Sequence, residues 1–134
     1  MKNNISGYEN ISLGLQSLFN NTGGGDNIGL GDKALYSNTN GNHSIALGDK
    51  SLYYSTGSEN IGSGFGSLFQ NTTGTKNIGL GSYAGSNANS GSVPNRTGSN
   101  SIFIGSDTKA NADGETNQIV IGDTAIGNGS NTVT

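Results

Sequence analysis

One short unit returns seven times along this chain, and that periodicity limits what the chain can fold into more than any other property. The unit reads glycine, two variable residues, Asn or Ser, Ile, one residue, usually Leu, then glycine. It appears as GYENISLG from Gly7, GGDNIGLG from Gly24, GNHSIALG from Gly41, GSENIGSG from Gly57, GTKNIGLG from Gly74 and GSNSIFIG from Gly98. GETNQIVIG, from Gly114, carries one extra residue. Successive starts lie 17, 17, 16, 17, 24 and 16 residues apart. Two further patterns ride on the first four units. A Leu-aromatic pair occurs in SLF at 17–19, ALY at 34–36, SLY at 51–53 and SLF at 67–69. A polar turn follows as NNTG at 20–23, SNTNG at 37–41, YSTG at 54–57 and NTTG at 71–74. A phased repeat of this length is the mark of a solenoid, in which each unit is completed by its neighbours.

Ile and Leu two apart, as in Ile28 and Leu30 around Gly29, lie on one face of a strand. That face is expected to meet the core. The glycine that follows ends the strand or admits a close neighbour. Leu18, Leu35, Leu52 and Leu68 are expected to face the same core from a second short strand. Asn-Thr-x-Gly then closes the coil, since Asn and Gly tolerate left-handed backbone. A helix is excluded by the missing helical period and by the recurring glycine. At about 4.8 Å per coil, seven or eight coils span roughly 35–40 Å. The core of one chain is thin, and association with other chains is the natural remedy. The fold class is therefore an all-β repeat solenoid, either a parallel β-roll or an interleaved triple β-helix.

Composition alone does not decide between an ordered and a disordered chain. Gly, Asn, Ser and Thr make up more than half of the chain. Leu, Ile, Val and Phe supply only about a fifth, a level compatible with disorder. Disorder also asks for high net charge, whereas the net charge is -3 and 11% of residues are charged. Cys is absent, so there is no disulfide framework and no thiolate metal site. The opening MKNNISGYEN has no apolar run, so no signal peptide is expected. No stretch reaches the length of a membrane span. The acidic balance, with pI near 4.7, and the missing basic stripe argue against nucleic acid.

The chain reads as one repeat domain over 1–134, with regular 17-residue coils over 1–85, an insertion loop over 86–98 and tighter coils over 99–134. The insertion, SNANSGSVPNRTG, holds the only proline, Pro94. Insertions in repeat proteins map to loops on one face and often carry function. This one is either a tolerated bulge or a contact loop. Beyond it SIFIG and QIVIG are richer in β-branched residues and the aromatic column disappears.

The run NIGLGDKALYSNTNGNHSIALGDKSLYYSTG, 27–57, resembles the coiled repeats of phage tail fibres and related bacterial trimeric fibres. It is similar, more distantly, to the head repeats of trimeric autotransporter adhesins, built on a phased Ser/Asn-x-Ala-Ile-Gly pattern of shorter period. The final DTAIGNGSNTVT resembles the segment that precedes a self-cleaving chaperone domain in such fibres. The resemblance implies a homotrimer of parallel chains, extracellular or on a virion, that supports or performs attachment to a cell surface. It names no receptor. Uncapped strand edges would also permit lengthwise assembly.

Candidate chemistry is sparse. Glu9 and Glu59 fall in one turn column three coils apart, about 14 Å by strand spacing, too far for a glycosidase pair. Asp32 and Asp49 share a column on adjacent coils, about 5 Å apart. They have the spacing of a retaining pair or a cation site, but Lys33 and Lys50 accompany them, and a solvated charge ladder is the better account. His43, the only histidine, lies in a turn with no partner at ligand spacing. GGGDNIG at 23–29 resembles a calcium-binding nonapeptide repeat, but its acidic residue does not recur at the required spacing. Gly-x-Gly strings are not phosphate loops, because no helix follows. No catalytic, metal or cofactor residue is assigned, and the chain is not expected to be an enzyme. The column Phe19, Tyr36, Tyr53, Phe69 suits core or interface packing, or a stacking surface for sugars. The column Thr22, Thr39, Thr56, Thr73 is a turn feature, too narrow for an ice surface. Candidate contacts for a cell-surface glycan or receptor are Tyr36, Tyr53, Tyr54, Asn95 and Arg96. Two other readings stay open: a glycan-degrading tail-spike enzyme, and an ice- or surface-binding solenoid.

Overall fold

A computed structural model describes residues 1–88 and 93–134. Residues 89–92, inside the predicted insertion, lie outside the described residues. The seven units give seven three-residue strands: β1 (Ile11–Leu13), β2 (Ile28–Leu30), β3 (Ile45–Leu47), β4 (Ile61–Ser63), β5 (Ile78–Leu80), and, after the hairpin strands β6 (Asn87–Ala88) and β7 (Val93–Pro94), β8 (Ile102–Ile104) and β9 (Ile119–Ile121). The seven stack as one parallel sheet in the order β1-β2-β3-β4-β5-β8-β9. Ile11, Ile28, Ile45, Ile61, Ile78, Ile102 and Ile119 pair in register from rung to rung. The chain coils on itself as a β-solenoid of six turns between the first and seventh strands. Each coil pairs with the next coil of the same chain, the roll rather than the interleaved arrangement.

The strands face the other way from the sequence expectation. The middle residue points inward: Gly29, Ala46, Gly62, Gly79, Phe103 and Val120 are buried. The flanking Ile and Leu point outward. The reason is space. A Cβ placed on Gly29 would lie 2.5 Å from Ser17 Oγ and 3.4 Å from Leu18 Cγ, and one on Gly79 would lie 2.5 Å from Ser67 Oγ and 2.9 Å from Leu68 Cγ. The Ser-Leu pair of the turn across the core has already filled the interior, so a glycine stands opposite Ser17, Ser51 and Ser67.

Those leucines do not come from a second strand. Leu18, Leu35, Leu52 and Leu68 are fully buried but sit in turns, with φ of 48°, 51°, 52° and 52°. Left-handed backbone also recurs at Lys33 and Lys50, and at Glu9, Asp26, His43, Glu59 and Lys76. The asparagines of Asn-Thr-x-Gly do not adopt it. They are buried and close the coil with their amides instead. Asn38 Nδ2 donates to Gly41 O at 2.9 Å and to Asn21 Oδ1 at 3.0 Å, and Gly41 N donates back to Asn38 Oδ1 at 3.0 Å. A second amide ladder precedes the strands: Asn60 Nδ2 donates to Gly74 O at 2.8 Å, and Asn77 N donates to Asn60 Oδ1 at 3.0 Å. A polar interior is tolerable because these groups are satisfied.

The glycine after each strand behaves as its position suggests. Gly31 has φ +135°, and a Cβ on it would lie 2.5 Å from Gly48 C in the next coil. Only glycine permits that approach.

The 16-residue unit loses its residue at one corner. Thr56 N donates to Thr72 O at 2.7 Å, and Thr72 N to Arg96 O at 2.9 Å. The threonine column therefore runs Thr22, Thr39, Thr56, Thr72, not Thr73, and continues into Arg96. Gly23, Asn40 and Thr73 occupy the corner that one coil omits. The insertion is also tighter than 86–98. Asn95 N donates to Ser86 O at 3.1 Å, closing an antiparallel hairpin of β6 and β7. From Asn95 onward the chain is back in the solenoid columns.

Candidate functional site

The register that pairs the isoleucines also stacks the aromatics. Ring centroids lie 5.3 Å apart for Phe19 and Tyr36, 5.0 Å for Tyr36 and Tyr53, and 5.2 Å for Tyr53 and Phe69. These are close to the spacing between strands. The first two pairs are nearly parallel, at 9° and 8°. The Tyr53 hydroxyl is held above its ordinary pKa of 10.0 by burial first, then by Tyr36, Tyr54 and Asp32. Lys2 Nζ sits 5.5 Å from the Phe19 ring centre at one end. The stack stops at Phe69, because Ser86 stands at the next position of the column, just before the hairpin.

Tyr54 breaks the pattern of its column, which holds Asn20, Ser37 and Gln70 in neighbouring coils. Its ring stands across the stack, 77° to Tyr53 at 4.6 Å and 74° to Phe69 at 5.2 Å. Beside it opens a cleft of about 460 Å³ lined by Tyr54, Gln70, Thr72 and Arg96. Tyr54 and Gln70 come from one column on adjacent coils. Thr72 and Arg96 come from another. Arg96 is tied down through its backbone: its amide donates to Asp113 Oδ1 at 2.7 Å, and its carbonyl accepts from Thr72 N at 2.9 Å. Its guanidinium forms no ion pair among the described residues.

Of the five candidate contacts read from sequence, Tyr54 and Arg96 meet in this cleft. Tyr36 and Tyr53 belong to the stack behind it. Asn95 does not face solvent: it is 4% exposed, and its amide donates to Gly85 O at 3.2 Å in the interior asparagine column. Gln70 and Thr72 were not anticipated. The signal for both is alignment on the turn leucines Leu52 and Leu68, which puts Gln70 beneath Tyr54 and Thr72 beneath Thr56.

The Asp32–Asp49 column is joined through the backbone. Asp49 Oδ1 accepts the amide of Asp32 at 2.9 Å. Neither carboxylate pairs with Lys33 or Lys50 among the described residues. His43 does have a partner, Asp26 Oδ2 at 3.4 Å, on the adjacent coil. Among the described residues no group of three His, Cys, Asp or Glu could hold a metal ion. Among the described residues no helix is long and apolar enough to cross a membrane. The hydroxyls of Thr22, Thr56 and Thr72 donate to carbonyls of the next coil at 3.0–3.2 Å, which commits them to the stack. Comparison with protein-family models, curated proteins and solved structures finds no match to this chain.

Proposed function

We propose that the chain is a segment of a homotrimeric fibre, extracellular or on a virion, that supports attachment to a cell surface and performs no catalysis. One observation carries the proposal: the outer face of the parallel sheet is apolar and uncovered. Parallel sheets occur almost only with both faces covered. Here the inner face is covered by the turn leucines. The outer face carries the isoleucine column and a second column of Leu13, Leu30, Leu47, Ser63, Leu80, Ile104 and Ile121. Leu13 is 70% exposed, Ile11 56%, Ile121 55% and Leu47 38%. Contiguous apolar surface of this kind marks an association surface. The columns keep one register over all seven strands, so a parallel copy offers matching columns at matching heights. Three copies around one axis turn this face inward together, the assembly implied by the fibre resemblance.

Analytical ultracentrifugation of the purified chain tests the assembly. A particle of three chains is expected at micromolar concentration, and a monomer there would sink the fibre reading. Binding of the labelled assembly to intact cells tests the attachment.

A further inference from the structure

We propose that the cleft between Tyr54 and Arg96 binds a sugar ring bearing a carboxylate. This gives the attachment proposed above its ligand class and rests on that reading only for its biological sense. Its lining residues Tyr54, Gln70, Thr72 and Arg96 all belong to one chain.

Three features of the cleft point to this ligand. The first is the Tyr54 ring, 42% exposed and braced at steep angles against Tyr53 and Phe69. A braced aromatic wall is a platform for the C–H face of a sugar ring and loses little freedom on binding. The second is Arg96. It stands in a column otherwise made of threonines, its backbone is pinned on both sides, and its guanidinium has no ion-pair partner among the described residues. The nearby Asp113 carboxylate is engaged by the amides of Arg96 and Thr97 and by the Thr97 hydroxyl, at 2.7, 2.9 and 3.1 Å. An unpaired, planar guanidinium at the edge of a cleft matches a carboxylate in geometry and charge. The third is the remaining polar pair. Gln70 offers an amide with both donor and acceptor capacity, and the Thr72 hydroxyl, which donates to Arg96 O at 3.2 Å, keeps its lone pairs. These suit sugar hydroxyls. The volume, about 460 Å³, falls within the roughly 300–1,000 Å³ of ligand clefts.

The position is compatible with assembly through the sheet. The segment carrying the aromatic stack lies across the core from the strands, since a Cβ on Gly62 of β4 would lie 3.3 Å from Leu52 Cγ. Covering the outer Ile and Leu columns leaves the cleft open.

Two substitutions remove the site while restoring residues that the solenoid already accepts. Tyr54→Ser installs the residue of Ser37, and Arg96→Thr continues the threonine column. The probes are a glucuronate-containing hyaluronan tetrasaccharide, sialyllactose and neutral lactose, titrated by calorimetry or NMR. Both acidic probes are expected to bind wild-type protein about tenfold or more tighter than lactose, the scale of one charge-assisted hydrogen-bonded pair. The tighter of the two identifies hexuronate or nonulosonate as the source of the carboxylate. Arg96→Thr is expected to bring both down to the lactose level, and Tyr54→Ser to weaken all three. Circular dichroism and sedimentation of each variant should match wild type. Lactose binding as tightly as the acidic probes, or an unchanged affinity in Arg96→Thr, would overturn the proposal. A trimer that binds no probe overturns the site and leaves the fibre reading standing. A monomer that binds the acidic probes keeps the site and overturns the fibre.

Discussion

The Phe103 ring fills the space that a side chain at Gly85 would need: a Cβ on Gly85 would lie 2.5 Å from Phe103 Cδ2. Gly85 stands in the column of Leu18, Leu35, Leu52 and Leu68. Phe103 stands in the column of Gly29, Ala46, Gly62 and Gly79. The two columns exchange large for small at the same level of the stack. Leucine does adopt this backbone in the column, since Gly85 has φ +64° and Leu68 has φ 52°, but the left-handed conformation adds its own cost of about 1–2 kcal/mol for any L-residue. Gly85→Leu should therefore cost about 1–3 kcal/mol by overpacking, and Phe103→Ala about 3–5 kcal/mol by leaving a cavity. The double variant should recover part of this, with a coupling of about 1–3 kcal/mol in denaturant unfolding. Strictly additive losses would mean that the two columns do not share one volume.

Neighbouring residues of β3 should respond in opposite ways to the same charge. Ala46 is 0% exposed, whereas Leu47 faces out. Ala46→Glu places an unpaired carboxylate in the interior and should abolish folding. Leu47→Glu should keep the circular dichroism of the solenoid and lower the sedimentation coefficient toward that of a monomer. Loss of folded signal in Leu47→Glu would show that its side chain points inward.

Two serines of one interior column differ in their bonds. Ser67 Oγ donates to Gly79 O at 2.8 Å, while Ser51 Oγ is buried without a partner among the described residues. Ala34 and Ala84 occupy the same column, so alanine fits there. Ser67→Ala should cost about 1 kcal/mol, and Ser51→Ala should be neutral or stabilising by a similar amount. Thermal unfolding of both variants in one buffer reads the contrast, and equal losses would count against it.

Asp113 should make the return from the hairpin acid-sensitive. Burial raises its pKa, but the hydrogen bonds from Thr97, Arg96 and Gly114 outweigh that and hold the carboxyl below its ordinary 3.8. A depressed value in the folded state stabilises the fold above the ordinary value. The contribution is lost as pH falls through the folded one. Amide exchange at Arg96 and Thr97 should accelerate below about pH 4, and Asp113→Asn should flatten that pH dependence. An NMR titration midpoint at or above the ordinary value would refute the assignment.

The repeat made the strands, their parallel register and the aromatic stack legible, because a fixed period puts like residues in columns whatever the coil shape. It did not tell which face of the strand is inside. Ile28 and Leu30 share a face by their spacing alone. Whether that face is core depends on what lies across from it, here Leu18 on left-handed backbone, a conformation that no leucine propensity suggests. The amide ladders of Asn38 and Asn60 were hidden for a similar reason, since asparagine in a Gly-rich chain reads first as a turn residue. In the cleft, Tyr54 and Arg96 stood out as departures from their surroundings. Asn95 misled because it closes the hairpin from inside. Gln70 and Thr72 emerge only once the 16-residue unit is aligned on its leucines, Leu52 and Leu68, and not on its glycines.

The left-handed leucines bear on how such a stack comes apart. Each holds its backbone in a region that disfavours L-residues by about 1–2 kcal/mol, and Lys33, Lys50, Glu9, Asp26, His43, Glu59 and Lys76 in two other columns do the same. A lone coil is therefore intrinsically unfavourable, and its stability comes from the rungs above and below. In a linear array of this kind, weak units with strong nearest-neighbour coupling melt together instead of fraying one at a time. The solenoid should behave as a single cooperative rod, whose length sets its stability more than any one repeat within it.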